Sequence, residues 1–156
     1  MSEAPAQRRQ SCTMQFDSME PTILTGSEVI SDVAHYSSHA PKRWDVVVFS
    51  LPGGGGQFIK RIVGLPGETI HLTSEGLKVN GTVISAPSKE LNDCFSSFRH
   101  HPDHKYGFGE FKIPADSVFL LGDNPSVYVA DSREFGPIPI RNLEARVFAS
   151  VHITLM

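Results

Sequence analysis

Short apolar runs rich in β-branched residues recur along this 156-residue sequence, each bounded by Gly, Pro, Asn or Asp. Such runs, alternating or continuous, are typical of strands that bury one or both faces. No window of 12 residues carries the 3.6-residue apolar stripe of an amphipathic helix, so we expect little helix. The fold class that follows is mostly β. The predicted strands cover residues 45–49, 58–63, 69–72, 77–79, 83–84, 118–121 and 146–153.

Turn residues divide the chain further. Asn80-Gly81 between two strands predicts a tight hairpin, because a type I′ turn needs positive φ at both central residues. Four glycines at 53–56 predict a hairpin tip. Segment 86–115 is polar and lies between two strand-rich halves, so we expect an inserted loop or small subdomain there. We expect a flexible tail at residues 1–13 and one domain at 14–156.

Charge and hydropathy exclude several classes of protein. The net charge is −3, so no global positive field favours nucleic acid, and we expect no such partner. No apolar run follows Arg8 and Arg9, which argues against a signal peptide. The longest uncharged stretch, residues 46–59, is too short and too rich in glycine to span a bilayer. Cys12 and Cys94 form no C-x-x-C motif.

A histidine-rich stretch is the one candidate metal site. His100, His101, Asp103 and His104 lie close in sequence, but Pro102 breaks the helical i, i+4 spacing. A solvated loop is favoured, and we expect neither a metal nor a cofactor.

Two cations, Lys60 and Arg61, lie inside an apolar strand. Strand alternation places Lys60 on the same face as Phe58 and Ile62. Burial on that face would lower the pKa of the amine, and a neutral amine near pH 7 is a general base. The alternative is an edge-strand lysine whose ammonium reaches solvent.

Ser18 lies in the irregular segment that precedes Pro21, where its hydroxyl is accessible but inert without a base. A turn serine bonded to nearby backbone is the alternative. Further along, Asp131 and Arg133 have the i, i+2 spacing that points both side chains the same way on a strand. That pair is better suited to pinning a loop than to direct catalysis.

Three boxes of residues follow one another along the chain. They are Ser18-Met19-Glu20-Pro21-Thr22, then Lys60-Arg61-Ile62-Val63-Gly64-Leu65-Pro66-Gly67-Glu68, then Gly122-Asp123-Asn124 with Asp131-Ser132-Arg133 and Gly136. Taken in this order, they resemble the signal peptidase I family over most of residues 17–147. The resemblance implies antiparallel β-sheets and a serine endopeptidase with a Ser-Lys dyad. It also implies cleavage of signal or leader peptides from preproteins after small residues, at an A-x-A-like site, with peripheral membrane association.

The resemblance also implies roles for single residues. Ser18 would be the nucleophile, its backbone N–H an oxyanion donor, and Lys60 the general base. The remaining box residues would support the site structurally: Asp123, Asn124, Asp131, Ser132 and Arg133.

The sequence departs from the family pattern at three points. Many bacterial members carry a hydroxyl two residues before the nucleophile, where this chain has Phe16. The serine that orients the lysine is replaced by Val129, for which Tyr128, Ser126 or Ser132 could substitute. The usual transmembrane anchor ahead of the serine box is missing, so a soluble, peripheral or trimmed form is expected.

These departures sustain an alternative function, a catalytically silent β-domain that binds peptides by strand addition. A lysine of depressed pKa within about 3 Å of the Ser18 hydroxyl would favour the enzyme. The four apolar residues around the serine fit either a membrane-facing patch or the core. They are Met14, Phe16, Met19 and Ile23.

Overall fold

Strands dominate the structure, a computed structural model that describes residues 8–127 and 130–154. The strands of this part of the chain are β1 (Arg9–Thr13), β2 (Glu28–Asp32), β3 (Val46–Ser50), β4 (Gln57–Gly64), β5 (Thr69–Thr73), β6 (Gly76–Val79), β7 (Thr82–Val83), β8 (Phe111–Lys112), β9 (Ser117–Leu121), β10 (Ile138–Pro139) and β11 (Leu143–Val151). The helices are α1 (His35–Ser38), α2 (Lys89–Phe95) and α3 (Ser132–Phe135), with a 3-10 helix at Ile140–Asn142.

The strands form two antiparallel sheets. The larger has seven strands in the order β1-β2-β11-β3-β4-β9-β10, and the smaller has four in the order β7-β6-β5-β8. The three helices are 4, 7 and 4 residues long. The predicted mostly β fold with little helix is confirmed.

Both predicted hairpin turns form. Asn80 and Gly81 have φ of 50° and 85°, and Val79 pairs with Thr82 across the turn. The Asn80 side chain also accepts the Thr69 N–H at 2.9 Å. The glycines at 53–56 all have positive φ and form the exposed connection between β3 and β4.

Apolar packing fixes the segment that carries Ser18. Met14, Met19 and Ile23 are 6%, 0% and 3% exposed and pack against Val48 and other core residues beneath the larger sheet. The membrane-facing interpretation is therefore wrong for these three residues. Phe16, at 71% exposed, is the exception.

One boundary differs from the prediction. Residues Arg9–Thr13, expected in a flexible tail, form β1 and pair with β2 along its whole length. Residues 1–7 of that tail lie outside the described residues. The inserted segment 86–115 contributes α2 and β8, and its Phe95, Phe98 and Ile113 are buried in the core that joins the two sheets.

The prediction of a solvated histidine loop is wrong for His104. This side chain is 5% exposed, and its ring stacks on Phe108 with centroids 5.3 Å apart. Its Nδ1 accepts the backbone N–H of His101 at 3.0 Å. Within residues 8–127 and 130–154, no group of three or more His, Cys, Asp or Glu side chains is arranged to hold a metal ion.

None of the helices in the described part of the chain is long and apolar enough to cross a membrane.

The turn at Asn80-Gly81 predicts a backbone-specific loss of stability. Gly81→Ala places a Cβ at φ 85° in open space, so strain alone should lower the free energy of unfolding by about 1 kcal/mol. Gly109→Ala is the control, because Gly109 also faces open space but its φ lies outside the left-handed region. Urea unfolding measures both variants. Equal stabilities would contradict the assignment of the turn.

Candidate active site

Ser18 and Lys60 meet in the interior of the molecule. Lys60 Nζ lies 2.6 Å from Ser18 Oγ, and the two side chains come from segments 42 residues apart. Ser18 is 6% exposed and Lys60 3%. The protonated amine donates this hydrogen bond, whereas the neutral amine accepts it from the hydroxyl. The arrangement can therefore transfer a proton from serine to lysine.

Burial lowers the pKa of Lys60 to about 8, because desolvation disfavours the ammonium. Asp131 acts in the opposite direction and Arg133 adds to the lowering. Val47 lies opposite Lys60 in the β3–β4 register, and cross-strand partners share a face. Val47 packs in one buried cluster with Phe58 and Ile62, so the apolar face predicted for Lys60 is present.

A cleft of about 290 Å³ opens beside the pair. It is bounded by residues 12–16 on one side and by residues 57–60 of β4 on the other, with Ser18 and Val48 between them. Met14, Val48 and Ile59 belong to the core cluster that fixes the serine segment. The cleft walls are therefore anchored in the core.

A buried ion pair joins the three boxes. Arg61 donates to both carboxylate oxygens of Asp123, from Nε at 2.9 Å and from Nη2 at 2.8 Å. Thr22, four residues beyond Ser18, donates its hydroxyl to the same carboxylate at 2.5 Å. Arg61 Nη1 also bonds the Trp44 carbonyl at 2.8 Å. One carboxylate thus connects the serine segment, β4 and the loop after β9.

Backbone contacts hold the serine segment against that loop. The Asn124 N–H donates to the Ser18 carbonyl and its side-chain amide donates to the Asp17 carbonyl, both at 3.0 Å. A Cβ on Gly122 would lie 2.6 Å from the Ser18 carbonyl oxygen, closer than a side chain can approach. Gly122 therefore permits the close approach of the two backbones.

The Asp131-Ser132-Arg133 box is arranged around α3. Asp131 caps the helix by accepting the Arg133 N–H, and it pairs with the Arg133 guanidinium at 2.7 Å. The Asp131 carboxylate also accepts the Gly122 N–H at 3.1 Å. The two side chains do pair, but from the cap and first turn of a helix and not from a strand as their spacing suggested.

Three residues were expected to substitute for the missing serine that orients the lysine. Ser132 Oγ accepts the Leu120 N–H at 2.9 Å, and Ser126 is exposed. Among the described residues, the Lys60 amine hydrogen bonds with Ser18 only, so neither serine orients the lysine. Tyr128 and Val129 lie outside the described residues.

The sequence interpretation missed the partners of Asp123. Arg61 and Thr22 are 62 and 101 residues from that carboxylate, a separation that local spacing does not reveal. The available signal was an arginine inside an apolar strand, which must find a buried anion.

Comparisons with known proteins identify the family to which this chain is related. The model of the family described as signal peptidase, peptidase S26, matches residues 8–152. A signal peptidase I V of Bacillus subtilis strain 168 is 35% identical over 129 residues, covering 81% of this chain and 76% of the relative. The chain belongs to the signal peptidase I family. The resemblance predicted from the three boxes and the class of enzyme, a serine-type endopeptidase, are confirmed.

Other members of the family are also similar. A signal peptidase I of Leptolyngbya laminosa is 33% identical over 138 residues, covering 83% of this chain and 62% of that relative. The crystal structure of a signal peptidase I from Enterococcus faecalis V583 superimposes with a TM-score of 0.53 at 26% identity. The superposition covers 70% of this chain and 98% of that one, so the chain shares the fold of this signal peptidase I structure.

The ion pair of Asp123 predicts a large loss of stability on substitution. Asp123→Asn leaves the Arg61 guanidinium buried without a counter-charge, which should lower the free energy of unfolding by about 3–5 kcal/mol. Asp93→Asn is the matched control, because Asp93 forms an exposed pair with Lys89 that is worth less than about 0.5 kcal/mol. Urea unfolding of both variants measures the difference. Similar losses would contradict a special role for Asp123.

Proposed function

We propose that this chain is a signal peptidase I-like endopeptidase in which Ser18 is the nucleophile and Lys60 the general base. Its substrates are preproteins with N-terminal signal or leader-like peptides, cut after small residues at an A-x-A-like site. The observation that supports the proposal most directly is the 2.6 Å contact between a buried lysine amine and a buried serine hydroxyl.

The proton moves from serine to lysine as the substrate is attacked. Neutral Lys60 accepts the Ser18 hydroxyl proton, and Ser18 Oγ bonds to the scissile carbonyl carbon. The resulting ammonium then gives its proton to the leaving amine, which breaks the peptide bond and leaves an acyl-serine. Water, deprotonated by the same amine, hydrolyses that ester and regenerates the serine hydroxyl. Burial and Arg133 lower the pKa of the amine and so favour its neutral form, and Asp131, Asp123 and Asp17 stabilise the ammonium between steps.

The oxyanion donor is the backbone N–H of Ser18. No described residue accepts a hydrogen bond from that N–H, so the group is available to a substrate. A donor of this kind contributes about 3–4 kcal/mol to transition-state stabilisation in comparable hydrolases.

The cleft suits an extended peptide. It is lined by residues 12–16 and by the start of β4, with Ser18 and several apolar side chains among the lining residues. Such a cleft offers apolar contacts to a peptide whose scissile bond lies at the Ser18 hydroxyl. The apolar lining is compatible with the small apolar residues of an A-x-A-like site.

The binding-module alternative has less support. A lysine close to the Ser18 hydroxyl and of depressed pKa favours the enzyme over a silent β-domain. Peripheral association with a membrane stays a prediction, and Phe16 is the exposed member of the apolar residues that could contribute to it.

The dyad predicts the effect of two substitutions and the shape of the pH profile. Ser18→Ala removes the nucleophile, and Lys60→Arg replaces the base with a group that does not deprotonate. Each should lower kcat/KM by about 10⁴-fold or more at every pH. In the unsubstituted protein, kcat should rise about tenfold per pH unit up to pH 8 and then level off, because only the neutral amine is a base. The measurement is cleavage of a leader peptide with an A-x-A site between pH 6 and 10.

Lys78→Arg is the control for Lys60→Arg, since Lys78 lies on strand β6 of the other sheet. It should retain full activity. A flat pH profile, or activity that survives in Lys60→Arg, would show that Lys60 is not the base.

A hydroxyl introduced at position 16 should raise kcat relative to an alanine at the same position. Phe16→Ser introduces a hydroxyl two residues before the nucleophile, where many bacterial members of the family have one, and Phe16→Ala removes the ring alone. If the added hydroxyl donates to the oxyanion, kcat of Phe16→Ser should exceed that of Phe16→Ala by about tenfold, with similar KM. Equal kcat values would indicate that the second donor lies elsewhere.

A further inference from the structure

The inserted segment 86–115 contacts one residue of the site region at several points. The Phe98 ring lies under the Arg133 guanidinium, with Cζ 4.6 Å from the ring centroid. The N–H groups of Lys105 and Tyr106 both donate to the Arg133 carbonyl, at 2.8 and 3.1 Å. The segment therefore contacts both the side chain and the backbone of Arg133.

The Phe98 ring is one of several contacts that hold the Arg133 guanidinium in place. Nε and Nη2 bond to Asp131, and Nη2 also bonds the Val127 carbonyl at 2.9 Å. Nη1 is buried and has no hydrogen-bond partner among residues 8–127 and 130–154. The face of Phe98 supplies a favourable contact to a guanidinium that hydrogen bonds satisfy only in part.

Arg133 is connected to Ser18 by a chain of three contacts, the first of which is its ion pair with Asp131. Its partner Asp131 accepts the Gly122 N–H, and Gly122 packs directly on the Ser18 carbonyl. A shift of Arg133 changes both the position of Asp131 and the extent to which its charge is neutralised. The charged groups that act on Lys60 are Asp131, Arg133, Asp123 and Asp17.

We propose that the inserted segment positions the active site, with Phe98 as a positioning residue that holds the Arg133 guanidinium on Asp131. The segment thus controls the electrostatic surroundings of the Ser18–Lys60 pair without touching the substrate. This inference rests on the proposed function of that pair. It gives the insertion a role in the reaction beyond filling the core between the two sheets.

Phe98→Leu tests the proposal because it keeps an apolar side chain but removes the ring from Arg133. A looser Arg133 leaves the Asp131 charge less neutralised, which raises the pKa of Lys60. The rise of kcat with pH should move up by about half a unit, equivalent to about threefold lower kcat at pH 7. KM should not change, because Phe98 does not line the cleft.

Two further variants separate positioning from packing. Phe95→Leu removes the same atoms from the same core, where Phe95 is 3% exposed and contacts Trp44 and Phe98. It should lower Tm and leave the pH profile in place. Phe98→Tyr retains the ring and should restore the profile of the unsubstituted protein. Equal pH profiles for Phe98→Leu and Phe95→Leu would overturn the proposal, as would an unchanged profile in Phe98→Leu.

A direct titration keeps this test independent of catalysis. The ¹³Cε resonance of Lys60 in the full chain, assigned by its loss in Lys60→Ala, should titrate at higher pH in Phe98→Leu than in Phe95→Leu. If the unsubstituted protein does not cleave leader peptides, the proposed function fails, and the titration still decides whether Phe98 acts on Lys60. Coincident titrations in the two variants would overturn the positioning role.

Discussion

The site depends on the interactions of one buried carboxylate, that of Asp123. It is fully buried, and a buried charge is tolerated only with compensating charge and hydrogen bonds. Arg61 supplies the charge and two hydrogen bonds, and Thr22 supplies a third. These partners come from parts of the chain that are 62 and 101 residues away. The requirement to neutralise one carboxylate therefore brings the serine segment, β4 and the loop after β9 to one place.

The ion pair lies next along the chain to Lys60 and to Gly122. Arg61 follows Lys60 on β4, and Asp123 follows Gly122, which packs on Ser18. Neighbouring residues on a strand point to opposite faces, so Arg61 bonds to Asp123 while Lys60 reaches Ser18. The strand thereby separates a permanently charged arginine from a lysine whose charge is reversible. The arginine anchors the structure, and burial lowers the pKa of the lysine to about 8.

Local pattern predicted the strands with regular apolar spacing and the turn at Asn80-Gly81, because both depend on neighbours in sequence. It missed β1 and β2, whose charged and polar residues conceal the alternation, and it missed the Arg61–Asp123 pair, which is long-range. The Asp131–Arg133 pairing was predicted, but its setting on a helix cap was not. The mutual partnership of Ser18 and Lys60 came from the family resemblance, since neither residue alone indicates its partner.

Gly122 and Phe16 differ in the space that each position leaves for a side chain. At Gly122 the space that a methyl group would need is occupied by the backbone of Ser18, so any larger side chain would displace Ser18 itself. At Phe16, 71% of the side chain faces solvent beside the same cleft. The backbone contact at Gly122 therefore leaves no space for a side chain, whereas the exposed position 16 does. A change at Phe16 alters the lining of the cleft, while the contact between Ser18 and Lys60 lies in the buried interior.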